Sequence, residues 1–528
     1  MSLSPTFAGT LSRRRLVQGV GASAALLTLA GCRSAVDDDK AAPAAGDGTP
    51  QRGGTLRVAA LIDHTPGLLF TQGSGFSLHR LIFNTLTQYA PGTLDPQPQL
   101  ATAWQISPDG KEVKLTLRQG VTFHNGRPFT ADDVVFAIQN LQNPQRAAQL
   151  RSTALAVTGF DIASPHEITL KLAHPVANLF DLFEFMVIAA KESVDGALQG
   201  KAPIGTGAFV WKNWTPGASL TLDRNPNYWI PERPYLDAID IRVIPQPDAL
   251  LAALRSGQAH YSYGLGGRDL ATIKDDKAFV LEEFDQGVGN IYVGVNTTVA
   301  PFGDKRVRQA LSFAIDRDRI VKQALGGYGL AAATPWPKSS PVFAEADAGR
   351  YPHDPAKAKA LLAEAGHSSG LNVPLAFLGN QAAVAQMVQF DLDQVGVKTT
   401  LEPLDPAKFQ SQLIAQTMPA LWAGTHGFAA NQPSTLAVSA YPFNEARNTS
   451  KFSDARYTEV VRRAWNQTDA RSAAAKSAYT ELSQVLLDEQ FIIDIAVLSN
   501  VQPLTTAVRG VAQNRYNATI FDDTYLAG

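Results

Sequence analysis

The stretch DPAKAKALLAEAGHSSGLNVPLAFLGNQAAVAQMVQFDLDQVGVKTTL, residues 354–401, indicates the fold class of this chain. Its apolar pattern predicts a strand, a helix and a second strand, at residues 373–378, 382–394 and 397–401. A strand–helix–strand unit joins two parallel strands, and parallel sheets are covered by helices on both faces. Open sheets of this kind bind ligands in a crevice beyond the carboxyl ends of their strands.

Start and stop signals for helices support this interpretation. Asp354 is typical of an N-cap, Pro355 of the first helical position, and Gly366 of the residue after a helix end. Thr130, with Asp133 three residues later, predicts a capping box and therefore another helix start. Strands are predicted at residues 55–59, 113–117 and 239–243, and a helix at 249–254. The fold class is therefore α/β.

The first 31 residues have the pattern of an export signal. Arg13, Arg14 and Arg15 precede a short apolar run, residues 16–30, which ends in small residues. This order is typical of a secretory signal, and paired arginines indicate the twin-arginine route. The run is too short and too rich in glycine, alanine and serine for a membrane-spanning helix. We therefore exclude residues 1–31 from the fold.

Cys32 directly follows this signal and is the only cysteine among 528 residues. An exported chain with one cysteine cannot form an internal disulfide, so a modified thiol explains this residue best; a chance cysteine after an ordinary signal is the alternative. Residues 32–52 contain almost no bulky apolar side chain, which predicts a flexible tether.

The length, charge and apolar pattern of the remaining residues limit the class of protein that they can form. A chain of this size divides into two or three domains, because a single core stops growing beyond about 250–300 residues. The formal net charge of −2 argues against a nucleic-acid partner, which requires a basic face. The body has no second apolar run of membrane length. We expect a globular body outside the membrane.

Catalytic and metal-binding motifs are absent from the sequence. The nine histidines include no His-Glu-x-x-His pair, and no Gly-x-Ser-x-Gly motif occurs. Glycine clusters lack phosphate-loop spacing and are predicted to be turns, at residues 205–207, 264–267 and 326–329. Adjacent carboxylates do not flank a substrate, and those at 132–133 favour a helix N-terminus instead. We expect no enzyme, metal site or cofactor.

A longer set of motifs covers nearly all of the chain after the tether. They are PQLA at 98–101, SPDG at 107–110, LRQGVTFHNG at 117–126, FTADDVVF at 129–136, RNPNYW at 224–229, RVRQA at 306–310 and AIDR at 314–317. In this order they resemble the dipeptide, oligopeptide and nickel solute-binding family of bacterial ABC importers. The signal before Cys32 likewise resembles bacterial lipoprotein signals, in which this cysteine carries the lipid.

The family resemblance implies a two-lobed clamp of the type II periplasmic-binding-protein kind, with an extra subdomain in the first lobe. The expected first lobe comprises residues 53–295 and 498–528, with the subdomain at about 95–198, and the second lobe comprises 296–497. The expected protein is a monomer, exported to the periplasm or cell surface and lipid-anchored to a membrane. It binds a small solute between its lobes and passes it to a membrane permease.

The expected cleft residues come from one strand end and one glycine-rich stretch. In peptide-binding members of the family a strand ends in Trp, followed three residues later by an Asp that pairs with the peptide ammonium. Here Trp422 matches, but Thr425 stands in place of the Asp. An aromatic face at Trp422 suits a flat solute group, which makes Trp422, His426 and Phe428 candidates, with Tyr263 as a further one. Core packing is the alternative for Trp422, and a plain loop tyrosine is the alternative for Tyr263.

These features predict an import receptor for a peptide or a peptide-like polar solute. A buried ammonium without a carboxylate is costly, so Thr425 argues against a free-amino peptide unless another carboxylate replaces the Asp. A sugar conjugate or a metal chelate, with His426 as a contact, is the alternative solute. A secreted hydrolase and an envelope adaptor are the rival classes.

Overall fold

The computed structural model describes residues 49–69, 76–284 and 289–527. Two large mixed sheets organise these residues. The first sheet has seven strands, in spatial order Phe279–Phe284, Asn500–Thr505, Tyr261–Tyr263, Thr55–Ala60, Ala238–Val243, Ser219–Arg224 and Phe209–Thr215. The second sheet has six, in the order Gly329–Ala331, Ile492–Leu498, Asn290–Val295, Leu421–His426, Leu371–Leu378 and Val397–Leu404.

Each large sheet contains a parallel group of three strands. In the first sheet Thr55–Ala60 runs parallel to both of its neighbours, Ala238–Val243 and Tyr261–Tyr263. In the second sheet Leu371–Leu378 runs parallel to both Val397–Leu404 and Leu421–His426. The remaining pairs are antiparallel, as hairpins and returning chain segments require.

A third sheet and three short ribbons complete the strands. The third sheet is antiparallel, in the order Ala101–Ile106, Glu112–Leu117, Glu167–Leu172 and Val157–Ser164. The ribbons pair Thr87–Tyr89 with Pro96–Pro98, Val508–Arg509 with Tyr525–Leu526, and Ala512–Gln513 with Thr519–Ile520.

Helices cover the sheets in the described part of the chain. The α-helices are Phe76–Ile82, Ala131–Gln142, Arg151–Leu155, Leu179–Phe185, Lys191–Ala197, Pro247–Arg255, Gly267–Ala271, Lys305–Ala314, Arg317–Ala324, Glu345–Ala348, Pro355–Glu364, Ala382–Gln394, Pro406–Ala415, Pro433–Ser439, Ala455–Trp465 and Ala473–Glu489. Short 3-10 turns occupy Pro66–Leu68, Pro144–Arg146 and Gly379–Gln381.

The local signals of the sequence act as predicted. The carboxylate of Asp354 accepts a hydrogen bond from the backbone N–H of Lys357 at 2.9 Å and caps the helix that follows it. The backbone N–H of Thr130 donates to the Asp133 carboxylate at 2.9 Å, which completes the capping box. The predicted strand–helix–strand unit is confirmed, with its helix at Ala382–Gln394.

One glycine cluster departs from the prediction of plain turns. Gly266 is the N-cap of the short helix Gly267–Ala271, and its backbone N–H donates to Asp269 at 3.2 Å. A Cβ on Gly267 would lie 1.9 Å from the carbonyl oxygen of Leu325, and one on Gly326 would lie 2.3 Å from the carbonyl oxygen of Gly267. The glycines of the two clusters therefore allow two backbone segments to approach each other closely. The spacing of residues within one cluster does not predict this contact.

Within the described residues, the chain crosses from one large sheet to the other twice. The first passage falls between Phe284 and Asn290, and the second between Leu498 and Asn500. The strand Asn290–Val295, which the sequence placed at the end of the first lobe, pairs within the second sheet. The expected lobe boundary near residue 498 stays a prediction.

Candidate functional site

The parallel strands of each large sheet end together at one edge. The final residues of these strands are Ala60, Val243 and Tyr263 in the first sheet and Leu378, Leu404 and His426 in the second. Ligands of open α/β sheets bind beyond such carboxyl ends. Two of the five residues predicted for the cleft, Tyr263 and His426, are therefore in the position that the topology favours.

Trp422 lies on a strand of the second sheet and is fully buried. It faces Gly294 on the neighbouring strand, and a Cβ at Gly294 would lie 2.2 Å from the indole ring. The ring therefore fills the space that this glycine leaves open. In the described structure Trp422 packs within the apolar core, four residues before the end of the strand at His426.

His426 ends the same strand and lies on the same face of the sheet as Trp422, four residues along. Its Nδ1 lies 2.6 Å from the carbonyl oxygen of Gly427, so this nitrogen carries the proton and donates it. Burial lowers the pKa of His426 to about 4, and the bond to Gly427 offsets this only in part. The neutral ring leaves its buried Nε2 without a hydrogen-bond partner among the described residues, able to accept from a donor.

Thr425 lies on the opposite face of the strand. It pairs in register with Ile291, which belongs to the apolar core between the second sheet and its helices. Alternate residues of a strand point to opposite faces, so Thr425 shares its face with Leu421 and Ala423. The structure therefore does not bring Thr425 to the side where Trp422 and His426 lie.

Phe428 connects the strand end to two other parts of the chain. Its ring lies 5.4 Å from that of His426, 6.4 Å from that of Phe185 and 5.9 Å from that of Tyr516, all at steep interplanar angles. Its φ of +72° is rare for a bulky residue and persists only where the surroundings hold it. Phe428 is buried, so it holds the chain after the strand against the helix Leu179–Phe185.

Tyr263 borders a separate pocket at the carboxyl edge of the first sheet. This pocket has an empty volume of about 510 Å³, part of it open to solvent. It is lined by Val58, Ala60, Ile62, Asp63, His64, Leu81, Leu220, Ile241, Val243, Tyr261, Tyr263, Thr519 and Phe521.

Asp63 and His64 at the mouth of this first-sheet pocket were missed from the sequence. The Asp63 carboxylate accepts from the Trp214 indole at 3.1 Å and from two backbone N–H groups, those of His64 and Gly217, at 2.7 Å each. Burial lowers the pKa of His64, with a smaller opposing effect of Asp63. Both residues lie within five residues after the predicted strand 55–59, and that position was the available signal.

Asp181 is a second polar group that the sequence did not single out. It is fully buried in the helix Leu179–Phe185. It accepts from the hydroxyl of Tyr89 at 2.8 Å, from the backbone N–H of Gln432 at 3.0 Å and from the hydroxyl of Thr435. Burial raises the pKa of Asp181, and its hydrogen bonds oppose this shift. This carboxylate therefore joins the helix to the chain that follows Phe428.

Asp494 is the buried carboxylate nearest in the sheet to His426. It lies on the strand next to Asn290, whose side-chain amide donates to it. Asn290 in turn pairs in register with His426. Burial raises the pKa of Asp494 to about 8, and Asn290 and the charge of Arg317 offset this only in part. Asp494 is therefore largely protonated at neutral pH, and a cation beside it would favour its ionised form.

The remaining predictions concern metals, membranes and the N-terminus. Within residues 49–69, 76–284 and 289–527, no group of three His, Cys, Asp or Glu side chains is arranged to hold a metal ion. No helix in the same ranges has the length and apolar character that crossing a membrane requires. Cys32, Arg13, Arg14 and Arg15, together with most of the expected tether, lie outside the described residues.

Comparison with known proteins agrees with this architecture. The chain has the two-lobed α/β fold of the type II periplasmic binding proteins. Its fold matches that of DppA from Helicobacter pylori, solved in complex with the peptide STSA, with a TM-score of 0.80 over 90% of this chain and 99% of that chain, at 21% identity. The predicted fold class is therefore confirmed.

The family is equally well defined by sequence. The model of the bacterial extracellular solute-binding proteins, family 5 (middle region), matches residues 95–446, and the chain belongs to this family. Heme-binding protein A of Haemophilus influenzae is 27% identical over 500 residues, which cover 88% of this chain and 90% of the relative. The dipeptide-binding protein of Escherichia coli is 27% identical over 479 residues, covering 84% and 88%. The resemblance found in the sequence motifs is confirmed.

Proposed function

We propose that this protein is the substrate-binding lipoprotein of an ABC importer, and that it captures a peptide or a peptide-like polar solute between its lobes. The observation that carries the proposal is the match of residues 95–446 to a family of extracellular solute-binding proteins. The relatives named for dipeptides and the structure solved with a peptide support a peptide ligand over a sugar conjugate or a metal chelate.

The geometry supports a binding role in which the solute is not converted. The edge of the second sheet offers the unpartnered Nε2 of His426 as a hydrogen-bond acceptor, while the first sheet offers a pocket beside Tyr263. Neither place combines a nucleophile with a base in hydrogen-bond contact, which covalent catalysis would require. The family to which the chain belongs suggests two partners, the solute and a membrane permease. We propose that the protein acts as a monomer.

The proposed location follows from the N-terminal pattern. Lipid on Cys32 would attach the body to a membrane outside the cytoplasm, and residues 33–52 would hold it clear of the lipid surface. Two or more acyl chains give stable attachment, whereas one chain gives only marginal binding.

Titration calorimetry combined with small-angle scattering tests the binding proposal. A saturable peptide should reduce the radius of gyration, because hinge closure around a ligand is the usual motion of such proteins. At 100 times its dissociation constant it should also stabilise the fold by about 2.7 kcal/mol. Peptide turnover would favour the hydrolase, and a protein partner retained without any small solute would favour the adaptor.

A further inference from the structure

The pocket at the carboxyl edge of the first sheet, defined above by its lining residues, has a consistent chemical character. Eight of its thirteen lining residues are aliphatic or phenylalanine, and they include Val58, Leu220 and Ile241 from three neighbouring strands. Apolar walls favour apolar groups by the hydrophobic effect, in proportion to the area removed from water. The walls of this pocket therefore select against charged groups.

Asp63, the carboxylate among the described residues that line the pocket, already has hydrogen-bond partners. Asp63 accepts three N–H groups, from the Trp214 indole and from the backbones of His64 and Gly217. A cationic solute group would have to displace one of these donors or share a carboxylate that already accepts three hydrogen bonds. Asp63 therefore fixes the loop that forms the mouth and does not provide a free negative charge.

The histidines near the pocket are neutral as well. His64 lies edge-on to the rings of Trp211 and Trp214, at centroid distances of 5.3 and 5.4 Å. Burial lowers its pKa, and burial also lowers the pKa of the neighbouring His79 to about 3. An anionic solute group would therefore meet no positively charged imidazole at neutral pH.

The polar groups deeper in the pocket are occupied, whereas the buried Nδ1 of His64 at the mouth has no hydrogen-bond partner among the described residues. The hydroxyl of Tyr261 lies 3.5 Å from that of Thr519 and accepts from the side-chain amide of Gln513 at 3.4 Å. At the mouth, Ile62 is 58% exposed although it is a large apolar residue. An exposed apolar side chain at the entrance of an apolar pocket gains contact area when a solute group enters.

We propose that this pocket receives a bulky, uncharged apolar group of the imported solute, such as an aromatic or branched aliphatic side chain, and that Ile62 closes over it. The proposal rests on the proposed function for the identity of the whole solute, but not for the chemistry of the pocket. Because part of this space opens to solvent, a side chain can enter the pocket while the backbone that carries it remains outside.

Calorimetry with a scanned peptide series provides the test. The probes are trialanine and its nine variants with Phe, Lys or Asp at each single position. At one position Phe should bind about 10- to 100-fold more tightly than Ala, as burial of an aromatic side chain implies, and Lys and Asp should bind more weakly than Ala. Ile62→Asp should remove this preference for Phe.

Ile162→Asp is the matched control. Ile162 is also an exposed isoleucine, at 45%, but it lies on the third sheet and does not line the pocket. This variant should keep the preference of the wild type, and thermal unfolding of both variants verifies that they fold. Peptide binding without a preference for Phe, or a preference that survives Ile62→Asp, overturns the inference and leaves the proposed function intact.

Failure of every peptide to bind overturns the peptide proposal instead. The preference of the pocket for uncharged groups is then tested by NMR. The probes are benzyl alcohol, benzoate and benzylamine, which are similar in size and differ in charge. Saturable binding of benzyl alcohol alone, weakened by Ile62→Asp and not by Ile162→Asp, supports the inference. Equal binding of all three probes, or binding of none, overturns it.

Discussion

Gly294 lies against the indole ring of Trp422, its partner across the strand pair in the second sheet. A Cβ at position 294 would approach Cε2 of the ring to 2.2 Å, far inside van der Waals contact. The absence of a side chain at Gly294 therefore allows the Trp422 ring to occupy this space, and packing here depends on both residues.

We predict that Gly294→Ala reduces the free energy of unfolding by about 1–3 kcal/mol or more, because the added methyl group forces the ring and strand apart. Gly67→Ala is the control, since a Cβ there meets nothing within 4 Å. It should change stability by less than about 0.5 kcal/mol. Denaturant unfolding measures both, and equal effects would show that the Gly294 contact does not limit packing.

We predict a pH dependence of stability that originates in His426. Its pKa in the fold is about 4, below the ordinary value of 6.5, so the unfolded chain binds this proton more tightly. The stabilisation is complete above pH 6.5 and is lost as the pH falls towards 4. When the pH is lowered from 7 to 5, the free energy of unfolding of His426→Asn should therefore fall by about 2 kcal/mol less than that of the wild type.

His367→Asn, in the turn after the helix Pro355–Glu364, is the control for this comparison and should follow the wild type. Unfolding free energies at several pH values provide the measurement. If His426→Asn retains the full pH dependence of the wild type, the buried imidazole does not titrate as proposed.

Local features of the fold could be predicted from the sequence, and contacts between distant segments could not. The helix after Asp354 and the helix Ala382–Gln394 depend on capping and on apolar spacing within a few residues. The bond between the Trp214 indole and Asp63 joins residues 151 positions apart, and that between Gln432 and Asp181 spans 251. No local pattern carries such information.

The candidate site shows the same division. The family motif directs attention to the strand that contains Trp422 and His426, and the role of these residues in binding stays a prediction. Which face each side chain takes depends on the register with Asn290–Val295, and this register buries Trp422 and turns Thr425 away. The positive φ of Phe428 is a consequence of packing against other segments, which propensity does not encode.

We predict that the solute does not require a free α-amino group, because His426, at the edge proposed to bind the solute, is neutral, and Thr425 lies on the opposite face of the strand. N-acetylation of a bound peptide should therefore change its affinity by less than about tenfold, as measured by calorimetry. A loss of more than about a hundredfold would contradict this prediction. If Asp494→Asn then reproduced that loss with the free peptide, Asp494 would be the ammonium partner.

We predict that Cys32 anchors the protein, because a lone cysteine after an export signal suits lipid attachment. Cys32→Ala should move the mature protein from the membrane fraction to the soluble fraction. Replacing Arg13, Arg14 and Arg15 with Lys should block export by the twin-arginine route. Unchanged membrane attachment of Cys32→Ala would contradict the anchor, and unchanged export of the lysine variant would exclude the route.

The central claim is that this protein binds one intact solute molecule and releases it unchanged. Native mass spectrometry of the purified mature chain, incubated with a mixed library of short peptides, tests it most directly. The account predicts a 1:1 complex whose added mass equals an intact peptide of the library, with no fragments accumulating in the mixture. Fragments that accumulate with time, or a chain that retains no peptide at any concentration, would contradict it.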